Sequence, residues 1–213
     1  MDSYSQAAQD LFVESITKRK MNGYFLEIGS NHPITHNNTY LLEKKYNWRG
    51  LMVEYDTSFE ELYKMYRPKS LYQLNDARRV HYRKILDDNH FPENMDYLQI
   101  DLDVDNKSTL DTLILLNDTV FDKYTFATIT FEHDIYTGNY FDTQSISRQI
   151  FADRGYTLVF PNVSVFWEGS YKPFEDWYVH PKLVDMDLVN QFATSTSSNV
   201  DEIKSILMSR RMG

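Results

Sequence analysis

The chain has 213 residues, 42% hydrophobic and 15% aromatic, which suits a single domain with a full-sized core. A net charge of -9 with no block of Lys or Arg argues against a nucleic-acid footprint, because neutralising phosphates needs a basic face. With no cysteine, disulfides and thiolate metal sites are excluded, and no apolar run approaches the roughly 18–20 residues of a membrane span.

The start, Met1-Asp-Ser-Tyr-Ser-Gln6, lacks the basic-then-apolar pattern of a signal peptide, so the expected location is the cytoplasm, or the host cytoplasm for a viral source. Residues 3–20 carry Ala7, Ala8, Leu11, Phe12 and Ile16 at helical spacing, with Ser3 or Ser5 as N-cap. A strand over 23–30 follows, broken by His32-Pro33, and 37–46 reads as a crossover helix. Strand 50–56 leads to a helix capped by Ser58 and ended by Pro68. Then come a short strand near 70–75, a polar helix over 77–89, a strand at 96–102, a helix at 107–117 and a strand at 126–132. A helix around 142–153 ends at Arg154-Gly155, and strands are predicted at 156–160 and 175–180. Residues 186–212 read as one or two helices interrupted by the polar loop 194–199.

Strands alternating with helices in this order predict a doubly wound, Rossmann-like, mainly parallel α/β sheet flanked by helices. The whole of 1–213 is expected to form one domain: the N-terminal helix 3–20, a cofactor half over about 21–105, and an acceptor or metal half over about 106–213.

In an open α/β sheet, ligands bind outside the carboxyl ends of the strands. Those ends carry Glu27, Gly29 and Ser30; Glu54 and Asp56; Asn75 and Asp76; Asp101 and Asp103; and Glu132, His133 and Asp134. Gly29 lets the backbone approach a ligand or serves as a plain turn. Glu54, at the tip of the second strand, fits the two hydroxyls of a ribose, and Asp76 fits the neighbourhood of an adenine ring. Only one glycine stands in the 27–33 turn, so a pyrophosphate-cradling loop is not expected. Asp101, Glu132 and Asp134 could hold a hard cation such as Mg²⁺ or Mn²⁺, or act without metal as a general base with hydrogen-bonding partners. His133, set between carboxylates, fits a base that removes a hydroxyl proton, or a structural hydrogen-bond partner. His180 lies among aromatics and acids as a second candidate, and His32 could line the site; His36, His81 and His90 read as surface or loop residues.

The ordered set Ser5-Gln-Ala-Ala-Gln-Asp10, Gly23-Tyr-Phe-Leu-Glu-Ile-Gly29, Asn38-Thr-Tyr-Leu-Leu-Glu43, Trp48-Arg-Gly-Leu-Met-Val-Glu54, Asp96-Tyr-Leu-Gln-Ile-Asp101, Ile129-Thr-Phe-Glu-His-Asp134 and Glu175-Asp-Trp-Tyr-Val-His-Pro181 resembles the FkbM-type family of S-adenosylmethionine-dependent methyltransferases. The resemblance implies a seven-stranded class I methyltransferase fold and methyl transfer to a hydroxyl, often of a sugar or glycan. It implies cofactor contacts from Glu27, Gly29, Ser30, Asn38, Glu54 and Asp76. It also implies catalytic or metal roles for Asp101, Glu132 and Asp134, with His133 the favoured base. The partner it implies is a small-molecule or glycan acceptor, with no nucleic acid and no membrane. Two rival readings stand beside it: a nucleotide-sugar glycosyltransferase using Asp101-Leu-Asp103 as its metal pair, and a non-catalytic Rossmann-like binding module.

Overall fold

Short apolar runs of β-branched and aromatic residues, each followed by an amphipathic stretch, build the sheet one crossover at a time. A computed structural model describes residues 3–193 and 198–209. Its elements in chain order are α1 (Gln9–Ile16), β1 (Tyr24–Ile28), α2 (Tyr40–Tyr46), β2 (Arg49–Glu54), α3 (Glu60–Tyr66), β3 (Leu71–Leu74), α4 (Tyr82–Asp88), β4 (Asn94–Ile100), α5 (Ser108–Thr119), β5 (Thr125–Glu132), α6 (Phe141–Asp153), β6 (Thr157–Trp167), β7 (Ser170–Val179), α7 (Met186–Phe192) and α8 (Val200–Ser209). The sheet runs β3-β2-β1-β4-β5-β7-β6. Pairs from β3 to β5 are parallel, and β7 is antiparallel to both β5 and β6.

Alternation along each strand sends side chains into two apolar layers. Phe25, Tyr97 and Trp177 pack with α1, α2 and α8 through Phe12, Leu42 and Ile203. Leu26, Ile100 and Phe131 pack with α4, α5 and α6 through Leu86, Leu113 and Phe151. No helix among the described residues is long and apolar enough to cross a membrane.

Several predicted elements shift for identifiable reasons. The N-terminal helix starts at Gln9, not near Ser3: Ser3 Oγ and Tyr4 N–H donate to the buried Asp10 carboxylate, and Ser5 Oγ accepts from Asp10 N–H. The first crossover helix starts at Tyr40 because Asn37, Asn38 and Thr39 are drawn to Glu27. Asp56, not Ser58, caps the turn before α3, accepting from Ser58 N–H. The predicted strands at 156–160 and 175–180 are the inner parts of two longer strands that form one hairpin. The polar loop 194–199 lies largely outside the described residues; Asn199 bridges Ser164 at the β6 edge.

A buried ion network ties the first half of the sheet together. Arg67, at the end of α3, donates from Nε to Glu43 Oε2 at 2.8 Å and from Nη2 to Thr39 Oγ1 at 2.6 Å, while Nη1 donates to Asn37 Oδ1 at 2.8 Å. Removing one partner of a buried pair strands the other in a dry site. Arg67→Met is therefore expected to lower unfolding free energy by roughly 3–5 kcal/mol, read as a fall in the urea midpoint.

Candidate active site

The carboxyl ends of β1, β2, β3 and β4 open onto a cleft of about 630 Å³, a size that suits a small organic ligand. Gly29 lines it at φ +81°, just after β1, and a Cβ there would lie 1.7 Å from the Asp101 carbonyl oxygen. The glycine is thus required by the close approach of β4 as well as by the left-handed turn. Glu54, at the end of β2, lines the same wall. Its Oε2 accepts from Asn31 N–H at 2.6 Å, and its Oε1 accepts from the N–H groups of Tyr55 (2.8 Å) and Asp56 (2.9 Å). Asp76 follows β3 and is clasped by Arg78, whose Nε and Nη2 donate to its two oxygens at 3.0 and 2.8 Å. That clasp holds the Asp76 carboxyl down at about 2.

Three further residues assigned to the cofactor from sequence lie behind the cleft wall. Glu27 is buried and accepts from Asn38 N–H (3.0 Å), Thr39 Oγ1 (2.7 Å) and Asn37 Nδ2 (3.2 Å). Burial pushes its carboxyl up to about 7, against the pull of Arg67 and of those donors. Ser30 is buried too, its hydroxyl 2.8 Å from Tyr63 Oη. Asn38 is buried and meets Glu27 through its backbone. All three shape the 30–39 loop and do not line the cleft.

At the ends of β4 and β5 the chemistry changes. Asp101 lines the cleft and shares a hydrogen bond with Glu132, and Glu132 shares another with Asp134. Burial raises all three, Asp101 against the pull of its hydrogen bond with Glu132; for Glu132 and Asp134 the nearby Asp101 charge adds to it, taking Asp134 to about 6 and Glu132 well above the carboxylate range. Among the described residues no group of three or more Asp, Glu or His is arranged to hold a metal ion. The Mg²⁺ or Mn²⁺ expected at Asp101, Glu132 and Asp134 does not fit this arrangement. Asp103 lines the cleft with Asp101, but it is exposed and accepts from Asp105 N–H and Asn106 Nδ2 within its own loop.

His133 is placed on the other side of the sheet from its neighbours. It is fully buried, with Nε2 3.5 Å from Asp176 Oδ1, and Asp176 is held by Arg148 through Nε and Nη2 at 2.8 and 2.9 Å. A side chain one residue from Glu132 in an extended strand points to the opposite face, so His133 does not reach the cleft and the base role expected for it is not supported by its position. His180 lies at the far edge of the sheet, past the end of β7, edge-on to Tyr156. His32 is half-buried and folds back on its own loop, its Nδ1 accepting from Ile34 and Thr35 N–H.

Cleft residues not singled out from sequence include Gln6, Asn31, His36, Tyr55 and Arg78. Arg78 stands two residues from Asp76, a spacing that could have flagged it; Gln6 and His36 arrive through loop folding with no local signal.

The chain matches no protein-family model and no curated protein. Among solved structures it is similar to a TehB-like SAM-dependent methyltransferase from Corynebacterium glutamicum, at 12% identity and a TM-score of 0.50, over 81% of this chain and 87% of that one. The chain has the fold of class I S-adenosylmethionine-dependent methyltransferases. Human methyltransferase-like protein 13 in complex with SAH aligns over 95% of this chain and 90% of that one, at 12% identity and a TM-score of 0.49. An rRNA methylase from Streptococcus thermophilus aligns over 84% and 98%, at 10% identity and a TM-score of 0.47.

Glu27 and Asp134 both sit above their unfolded values. Such groups contribute stability that is full at low pH and is lost as pH rises through the folded value. The urea midpoint is therefore expected to fall between about pH 5 and about pH 8, and Glu27→Gln to flatten that fall.

Proposed function

We propose that the chain is an S-adenosylmethionine-dependent O-methyltransferase of the FkbM type, acting on a hydroxyl of a sugar or glycan. The observation that carries this reading is the single cleft edge on which Gly29, Glu54 and Asp76 stand in succession at the ends of β1, β2 and β3, in a sheet of the methyltransferase fold. Glu54 keeps acceptor capacity beyond its three N–H donors, so it can take a ribose hydroxyl. Asp76 and Arg78 form the wall nearest β3, where a polar aromatic ring would be received.

S-adenosylmethionine supplies an electrophilic methyl group when bound. The chain's own task is to hold an acceptor hydroxyl in line and to take its proton. Asp101 is placed for that role, since it lines the cleft and belongs to the proton-sharing set with Glu132 and Asp134. A carboxylate in such a set accepts a hydroxyl hydrogen bond while its partners hold the shared protons. The acidic lining also favours neutral or cationic acceptors over polyphosphates, and the location is proposed to be cytoplasmic.

Calorimetric titration with S-adenosylhomocysteine tests the cofactor assignment. Micromolar binding is expected, with Glu54→Ala weakening it about 10- to 100-fold, the loss of a charge-assisted hydrogen-bonding site. No binding, or tighter binding of UDP or GDP sugars, overturns the reading. Methyl transfer to a saccharide panel tests the base: Asp101→Asn is expected to cut turnover by about 10²-fold or more while homocysteine-product affinity stays close to that of the parent.

A further inference from the structure

Two residues after Gly29 the chain enters the left-handed region again, at Asn31, with φ +49°. A glycine takes that conformation freely, whereas a residue with a Cβ needs partners that offset the crowding. The Ser30 carbonyl accepts from Asn37 Nδ2 at 2.9 Å, and the Asn31 carbonyl accepts from the Tyr63 hydroxyl. Tyr63 has a single hydroxyl proton and Asn31 takes it. The Ser30 hydroxyl, 2.8 Å away, therefore donates to the Tyr63 oxygen. One phenol thus grips the turn at the residue before Asn31 and at the carbonyl of Asn31 itself.

The grip comes from inside the fold. Tyr63 belongs to α3 and is fully buried, its ring stacked on Tyr72 with centroids 5.7 Å apart, and it does not line the cleft. Burial pushes its hydroxyl above the usual phenol range, which keeps it a donor.

What the grip holds in place is an N–H group at the cleft wall. Asn31 N–H donates to Glu54 Oε2 at 2.6 Å, whereas the N–H groups of Tyr55 and Asp56 both go to Oε1. Two donors fill Oε1, and Oε2 keeps a lone pair for a further hydroxyl. The direction of that lone pair follows the Asn31 backbone, and the Asn31 backbone follows Tyr63. We propose that Tyr63 is a positioning residue for nucleoside binding, aiming Glu54 Oε2 at the ribose hydroxyls through Asn31 without touching the ligand; this rests on the ribose role proposed for Glu54.

The test is calorimetry on the intact chain with adenosine, 2′,3′-dideoxyadenosine and S-adenosylhomocysteine. The parent is expected to bind adenosine about tenfold or more tighter than the dideoxy form, as for hydroxyls bonded to a charged acceptor. Tyr63→Phe keeps the ring and removes one oxygen. It is expected to cut that ratio to about threefold or less and to weaken S-adenosylhomocysteine about 3- to 10-fold. Tyr72→Phe removes the hydroxyl of the stacked ring, which reaches only Glu60 at 3.5 Å, and is expected to keep the parent ratio. A ratio of dissociation constants is not moved by a change in global stability, so a merely structural Tyr63 would leave it intact. An unchanged ratio in Tyr63→Phe, or an equal fall in Tyr72→Phe, overturns the inference. So does a parent that prefers neither nucleoside; if it still binds S-adenosylhomocysteine, the methyltransferase reading survives without a ribose role for Glu54. A parent that separates the two nucleosides but does not bind S-adenosylhomocysteine sinks the methyltransferase reading instead, and the Tyr63→Phe ratio then decides the positioning role by itself.

Discussion

A carboxylate shut away from water organises the β1–β2 side of the cleft. Glu27 lies in the middle of β1, and its two oxygens draw in Asn37, Asn38 and Thr39 from the chain that follows. Arg67 closes the arrangement from α3, its guanidinium near the rings of Phe25 and Tyr40 and bonded to Glu43, Asn37 and Thr39. Charges in such a place are tolerable only when every one is paired and hydrogen-bonded. Satisfying that condition fixes where α2 can begin, and with it the path of the 30–39 loop that brings Asn31 and His36 to the cleft.

The strand ends then divide into two chemical environments built from the same residue types. Glu54 meets N–H groups near solvent, and Asp76 meets a guanidinium that favours its ionised form. Asp101, Glu132 and Asp134 meet mainly one another in a partly buried setting, conditions that favour shared protons. One half of the edge is suited to receiving hydrogen bonds, the other to trading a proton. The cleft touches both, through Glu54 and Asp76 on one side and Asp101 on the other.

Much of this was legible in the residues. The alternation of apolar strands and amphipathic helices predicted the doubly wound sheet, and Gly29, Glu54, Asp76 and Asp101 were placed on the cleft edge. The failures have physical causes. β1 is buried on both faces, so hydrophobic pattern alone could not say whether Glu27 faced a ligand or the interior. Glu132 and His133 are adjacent in an extended segment, so strand parity sends them to opposite faces of the sheet, and neither lines the cleft. The outer hairpin, 161–174, went unassigned in the sequence, where Pro161, Asn162, Gly169 and Pro173 punctuate it. Its prolines are accommodated by the β6 edge and by the register shifts between Phe160 and Ser164.

The same register has a consequence for how the molecule assembles. The β6–β7 hairpin joins residues that are neighbours in sequence through a short turn, whereas Tyr24 must find Asp96 across 72 residues of chain. Hairpins of this kind close in about 1–10 μs, while distant parallel pairings carry the full entropy of loop closure and come late. The seam between β1 and β4 is the one where Gly29 meets Asp101. The cleft therefore lies on the joint of the sheet that closes last when the full chain refolds, after the outer hairpin has formed.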